Sequence, residues 1–148
     1  MKAVQRWRYY CDHCKKAGGS KRHMLSHERG CTLNPNRTCK MCTQINGGNG
    51  NMLEDMLDLL PDPARFMKVI PAGDFSPEMT VLNDEAIKPL IAAALPALRE
   101  LCENCPMCLM AAFRQKKIPV PMVEGFNYKA ELAEMWTDIH DIRDERNY

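Results

Sequence analysis

The chain has 148 residues, 45% of them hydrophobic, and its 20 Lys/Arg and 19 Asp/Glu nearly cancel to a net charge of +1. That length holds one ordinary domain or two small ones that need a staple, and no run of eighteen apolar residues is present to span a membrane. The opening MKAVQRWRYY lacks the apolar centre and cleavage site of a secretion signal, so a reducing compartment is expected and the eight cysteines read as metal ligands rather than disulfides.

In chain order the expected architecture is small and mostly α, with a ββα-like N-terminal unit and a helical body stapled by a second metal site. A short hairpin is expected around Trp7 to Lys15, followed by a cysteine- and histidine-rich helix. QINGGNGN (44–51) reads as a Gly/Asn hinge. Asn51 with Glu54 predicts a helix start, and Leu53, Met56, Leu57 and Leu60 supply its apolar stripe until Pro61 ends it. Asp62-Pro63 predicts a second short helix through ARFMKVI, and PAGDFSPE predicts a loop. From Asn83 to about Glu103 apolar residues recur at helical spacing, with Pro89 and Pro96 expected to start, kink or divide the segment. LMAAFRQKK reads as a short helix and IPVPMVEG as extended chain. The final helix, from Asn127, places Leu132, Met135, Trp136, Ile139 and Ile142 on one face, expected to be core. No other strand signal of similar strength is evident.

Charge divides the chain. Residues 1–43 carry ten basic side chains against Asp12 and Glu28, while residues 44–148 carry ten against seventeen. The expected organisation is therefore a basic head (1–43), the hinge (44–51) and an acidic body (52–148). Such a head suits a polyanion or an acidic partner.

The head opens with YYCDHCKKAGGSKRHMLSHERGC (9–31), which offers five potential ligands for a four-ligand ion. Cys11, Cys14, His27 and Cys31 are spaced C-x2-C-x12-H-x3-C. The first pair forms a turn on which two sulfurs converge, and a helix then presents two ligands one turn apart. The rival set, with His23 and His27, is C-x2-C-x8-H-x3-H and leaves little chain for a second strand. His27 with Cys31 is preferred, which makes His23 the surplus group, either packed within the fold or aimed outward. Tyr9 and Met24 occupy positions where a finger carries core residues. Residues 7–31 thus resemble the two-Cys-two-His zinc-finger family in its Cys-Cys-His-Cys variant. The second aromatic of that pattern is replaced by Gly18, so a thin mini-core is expected. The resemblance implies base-reading positions at Ser20, His23 and Ser26, of which two serines are weak readers.

Cys39 and Cys42 form a second C-x2-C knuckle, and CENCPMC contributes Cys102, Cys105 and Cys108. CPMC is similar to the knuckles of zinc ribbons. A four-cysteine zinc site of Cys39, Cys42, Cys105 and Cys108 would tie head to body, with Cys102 spare or replacing Cys105. An iron–sulfur cluster is the lesser alternative, because the fourth cysteine of a ferredoxin run is replaced by Ala112.

Catalysis is not expected. Closed four-ligand zinc is structural, and no zinc-hydrolase helix, nucleophile elbow or phosphate loop is present. His13 lies inside a turn and His140 in a charged face, and no histidine is placed as a nuclease base. GCTLNPNRTCKMC and, more loosely, CPMC…AAFRQ are similar to short zinc-binding proteins of tailed bacteriophages and prophages. That resemblance implies a viral origin and a place in the host cytoplasm or the virion. The leading expectation is a non-catalytic binding module. Its Arg6, Arg8, Lys15, Lys16, Lys21, Arg22, His23 and Arg29 would contact nucleic acid or an acidic protein surface. The alternative is a structural virion or assembly component that the zincs merely rigidify.

Overall fold

The computed structural model describes residues 1–48 and 52–146. The head begins with two short antiparallel strands, β1 (Tyr9–Tyr10) and β2 (Ala17–Gly18), with Tyr9 opposite Gly18 and Tyr10 opposite Ala17. The hairpin therefore sits later than the Trp7–Lys15 expected, because the cysteine turn itself forms its loop. Ser20 caps helix α1 (Lys21–Gly30): its backbone is extended, and its hydroxyl accepts from the His23 amide at 3.3 Å.

Lys40–Asn46 forms helix α2, closed by Gly47 in the left-handed conformation (φ +74°) that a residue without Cβ adopts freely. Gln44 to Asn46, assigned to the hinge, thus end a helix. Residues 49–51, including the Asn51 helix start, lie outside the described residues. Helix α3 (Met52–Leu59) follows, with Met56 buried.

The largest departure from expectation comes next. Asp62 does cap a turn at Pro63–Phe66, its carboxylate accepting from the Ala64 amide at 3.0 Å, but the turn is 3-10 and the chain then extends. Met67–Ile70 (β3) and Met79–Leu82 (β4) pair antiparallel from Met67–Leu82 to Ile70–Met79. The β-branched Val69, Ile70, Thr80 and Val81 favour a pleated surface over a helix. PAGDFSPE is the loop of this hairpin.

Helix α4 (Asp84–Leu101) runs unbroken through Pro89 and Pro96. Each proline removes one amide, leaving the carbonyls of Glu85 and Ala92 without their helical donors. All four residues are exposed, so water can serve those carbonyls, while Ile87, Ile91, Leu95 and Leu98 face inward. Helix α5 (Pro106–Gln115) begins inside the CPMC knuckle, with proline at its first position. IPVPMVEG is not wholly extended, since Val120–Met122 forms a 3-10 turn. Helix α6 (Tyr128–Arg146) buries Ile139 and half-buries Leu132, Met135 and Trp136, but Ile142 is exposed.

The fold is thus small and mostly helical, with two minor sheets. Its main core gathers Met41, Met56, Ile87, Ile91, Leu98, Leu109 and Phe113, and Phe113 packs on Phe126 at 5.5 Å between ring centres. Arg99 of α4 locks α6 in place: its guanidinium donates twice to the Glu131 carboxylate at 2.9 Å and once to the Gly125 carbonyl at 2.7 Å. Hydrogen bonds from Arg99 hold the Glu131 carboxyl below its usual range. A depressed carboxylate stabilises the fold above its unfolded value and ceases to do so as pH falls through its folded one. Glu131→Gln should cost about 1 kcal/mol at pH 7. In denaturant titrations of the two proteins, that gap should close progressively as pH falls below the ordinary glutamate range; a gap independent of pH would refute the assignment.

Candidate metal centres

The first centre grows from the β1–β2 turn. The Cys11 amide donates to the Lys16 carbonyl at 3.0 Å, folding the C-x2-C segment back on itself, and α1 brings His27 against it. Cys14 Sγ and His27 Nε2 stand 3.2 Å apart, and the ligand atoms of Cys11, Cys14, His27 and Cys31 all lie within 4.8 Å of one another. Four ligands placed 2.0–2.3 Å from one ion in a tetrahedron are separated by roughly 3.3–3.8 Å, so this is the arrangement of a single-ion site. Burial, followed by the charge of Lys16, holds the His27 imidazole below its usual pKa, in the neutral form a ligand requires. Burial raises the Cys31 thiol. Cys14 is also opposed by burial, but hydrogen bonds to the Lys16 backbone, Cys11 and Cys31 bring it below its usual value.

One reading of the sequence is corrected at this centre, and the open placement of His23 is decided. Cys31 is not on the helix: α1 ends at Gly30, and Cys31 caps it in a non-helical conformation, its amide donating to Glu28 O at 3.2 Å. His23 is not packed within the fold. It is exposed one turn before His27, and its backbone amide donates to the Ser20 hydroxyl. The missing aromatic is replaced in part by Met24, which is buried with its terminal methyl 3.3 Å from where a Cβ on Gly18 would stand. Glycine there makes room for methionine, and Tyr9 and Leu33 close the small core.

The second centre joins distant parts of the chain. Cys39 caps α2 and Cys42 lies in its first turn; Cys105 caps α5 and Cys108 lies in its first turn. Two helix N-termini therefore present their partial positive charge to four sulfurs. Cys39 and Cys105 are 3.6 Å apart, as are Cys42 and Cys108, and all four sulfurs lie within 4.8 Å. A disulfide would need about 2.05 Å. The thiols divide their protons unevenly. Contact with Cys105 lowers Cys39 and Cys108 and raises Cys42, while Cys108 raises Cys105. Such coupling expresses the repulsion of crowded thiolates, which a bound cation relieves.

Arg37 was legible in the sequence only as part of the basic head, yet it belongs to this centre. Its Nη1 donates to Cys108 Sγ at 3.7 Å, and its Nε and Nη2 are buried without a hydrogen-bond partner. A guanidinium held so dry needs nearby negative charge, and four thiolates around a divalent ion carry a net −2. Cys102 is excluded from the cluster. It lies fully buried in the main core, its thiol directed at the Arg99 and Cys105 carbonyls, and burial pushes its pKa up to about 12.

Two residues of α5 dock the head on the body. Arg114 donates to the Thr32 hydroxyl at 2.8 Å, and Gln115 donates to the Thr32 and Asn34 carbonyls at 2.9 and 3.0 Å; within the head, Lys40 reaches Ser26 at 3.0 Å. Arg6, Arg8, Lys15, Lys16, Lys21, Arg22 and Arg29 are all exposed, and none forms an ion pair among the described residues. No helix is long and apolar enough to cross a membrane among the described residues.

No protein-family model, no curated protein and no solved structure matches the chain. The resemblances to finger and phage proteins therefore rest on their motifs alone.

Native mass spectrometry of the purified protein should find two metal ions per chain. His27→Ala should reduce this to one, whereas His23→Ala and Cys102→Ala should keep two; loss of an ion from either of the latter would contradict the ligand sets.

Proposed function

We propose that this chain is a non-catalytic module built around two zinc ions that engages nucleic acid or an acidic protein surface through its basic head. The observation that carries this reading is the disposition of the head's cations. All seven basic residues singled out from the sequence reach solvent and none is spent on an acidic neighbour. Three of them, Lys21, Arg22 and Arg29, line a concave face of α1 with Leu25 and Ser26, which continues past Thr38 and Lys40. Unpaired cations on a rigid scaffold attract extended anionic surfaces in a salt-dependent way.

Zinc is supported by the ligand chemistry, three sulfurs with one imidazole and then four sulfurs, each compact enough for one tetrahedral ion. Sulfurs this close leave no space for the several irons of a cluster. Four protein ligands per site also leave no open position at which water or substrate could be activated, which supports a structural role for both ions.

A second reading, a component of a larger assembly, is favoured by the β3–β4 hairpin. Its strands leave Met67, Val69, Ile70 and Met79 about half exposed, and Phe75 in its loop is fully so. A two-stranded hairpin in water is marginal without cover, and such a patch marks a contact surface.

Mobility shift of a short oligonucleotide, run beside an acidic polypeptide, tests the main reading. Affinity should fall steeply as salt rises, and Lys21→Ala with Arg22→Ala and Arg29→Ala should weaken it about tenfold or more and flatten the salt slope. Absence of binding to either probe at low salt would overturn it.

A further inference from the structure

The body carries a groove that the proposed function leaves unused. It runs between α3 and α4, floored by Leu59, Ala97 and Leu101 and rimmed by Asp55, Asp58 and Glu100. Leu59 is 44% exposed there, and the three carboxylates are exposed and make no ion pair among the described residues. The head carries its counterpart. Leu25 is 50% exposed on α1, and Lys21, Arg22 and Arg29 stand four and three residues before it and four after it. Those spacings place all three cations around the leucine on one helical face. One surface is thus an apolar knob in a ring of positive charge, and the other is an apolar slot in a ring of negative charge.

We infer that the α1 face of one copy of this chain docks in the α3–α4 groove of another. The inference rests on the proposed function, of which it names one acidic protein surface. Leu25 against Leu59 and Leu101 removes apolar area from water on both sides, while the surrounding charges set orientation and encounter rate more than affinity. The two patches lie on different surfaces of one chain. Made reciprocally the contact closes a two-fold dimer, and made in one direction it extends a row of copies. Rim charges of this kind are screened by salt, so the association should be strong only at low ionic strength.

Sedimentation velocity of the metal-loaded protein tests this. At about 50 mM salt the mass should exceed the 16.9 kDa of one chain, returning to it near 0.5 M. A groove variant, Asp58→Lys with Glu100→Lys, and a helix variant, Arg22→Glu with Arg29→Glu, should each sediment as single chains. Mixed in equal amounts they should associate again, because each then meets its complement at both contacts. That recovery also shows that both variants are folded. A wild type that remains a single chain at low salt, or a groove variant that associates unchanged, overturns the inference. If that monomeric wild type and the groove variant bind an oligonucleotide equally well, the basic face serves nucleic acid, and the proposed function survives. If the wild type also binds no polyanion, the proposed function falls with it.

Discussion

Four sulfurs drawn from two cysteine pairs 66 residues apart meet at 3.6 Å, and most of the molecule is arranged around that meeting. The pairs sit at the N-termini of α2 and α5, so joining the sulfurs also sets one helix against the other. Met41, between Cys39 and Cys42, is carried into the main core and fully buried there. Crowded thiols are unfavourable unless a cation holds them, and closing so long a loop costs chain entropy. A metal supplies the free energy that a core of this size lacks. Arg37, sealed against the sulfurs with two of its nitrogens unpartnered, is understandable only beside such concentrated negative charge.

The first centre solves a smaller problem by the same means. A two-residue-strand hairpin and a ten-residue helix bury only Cys11, Met24 and Cys31, which is too little to fold alone. A metal ion held by the four clustered ligands would close this unit, and Arg114 and Gln115 fasten its exit loop to α5. The head is thereby held by the second centre through Cys39 and Cys42 and by the hydrogen bonds of Arg114 and Gln115. Among the described residues, none of the head's seven exposed cations forms an ion pair in this docking.

Helix starts, apolar stripes and the cysteine knuckles were legible in the sequence because each depends on spacing along a few residues. Periodicity placed α3, α4 and α6, and C-x2-C spacing marked both cysteine knuckles. The β3–β4 hairpin was missed because its apolar residues lie on both faces, so no alternation announces it, although MKVI and MTVL flanking a proline- and glycine-containing loop were a usable signal. Pro89 and Pro96 were over-read as interruptions. Their seven-residue separation puts both on the watered side of α4, where a lost amide costs least.

What the sequence by itself determined were the local quantities: ligand types, turn residues, helix faces and the uneven distribution of charge, all set within a span of about ten residues. The tertiary structure alone decided which of His23 and Cys31 joins the first centre, that Cys102 belongs to the core, and that Arg37 belongs to the second centre. Those outcomes depend on where a helix stops and what packs across it. Spacing counts residues, whereas ligation and burial are decided by distances between segments that the chain brings together only on folding.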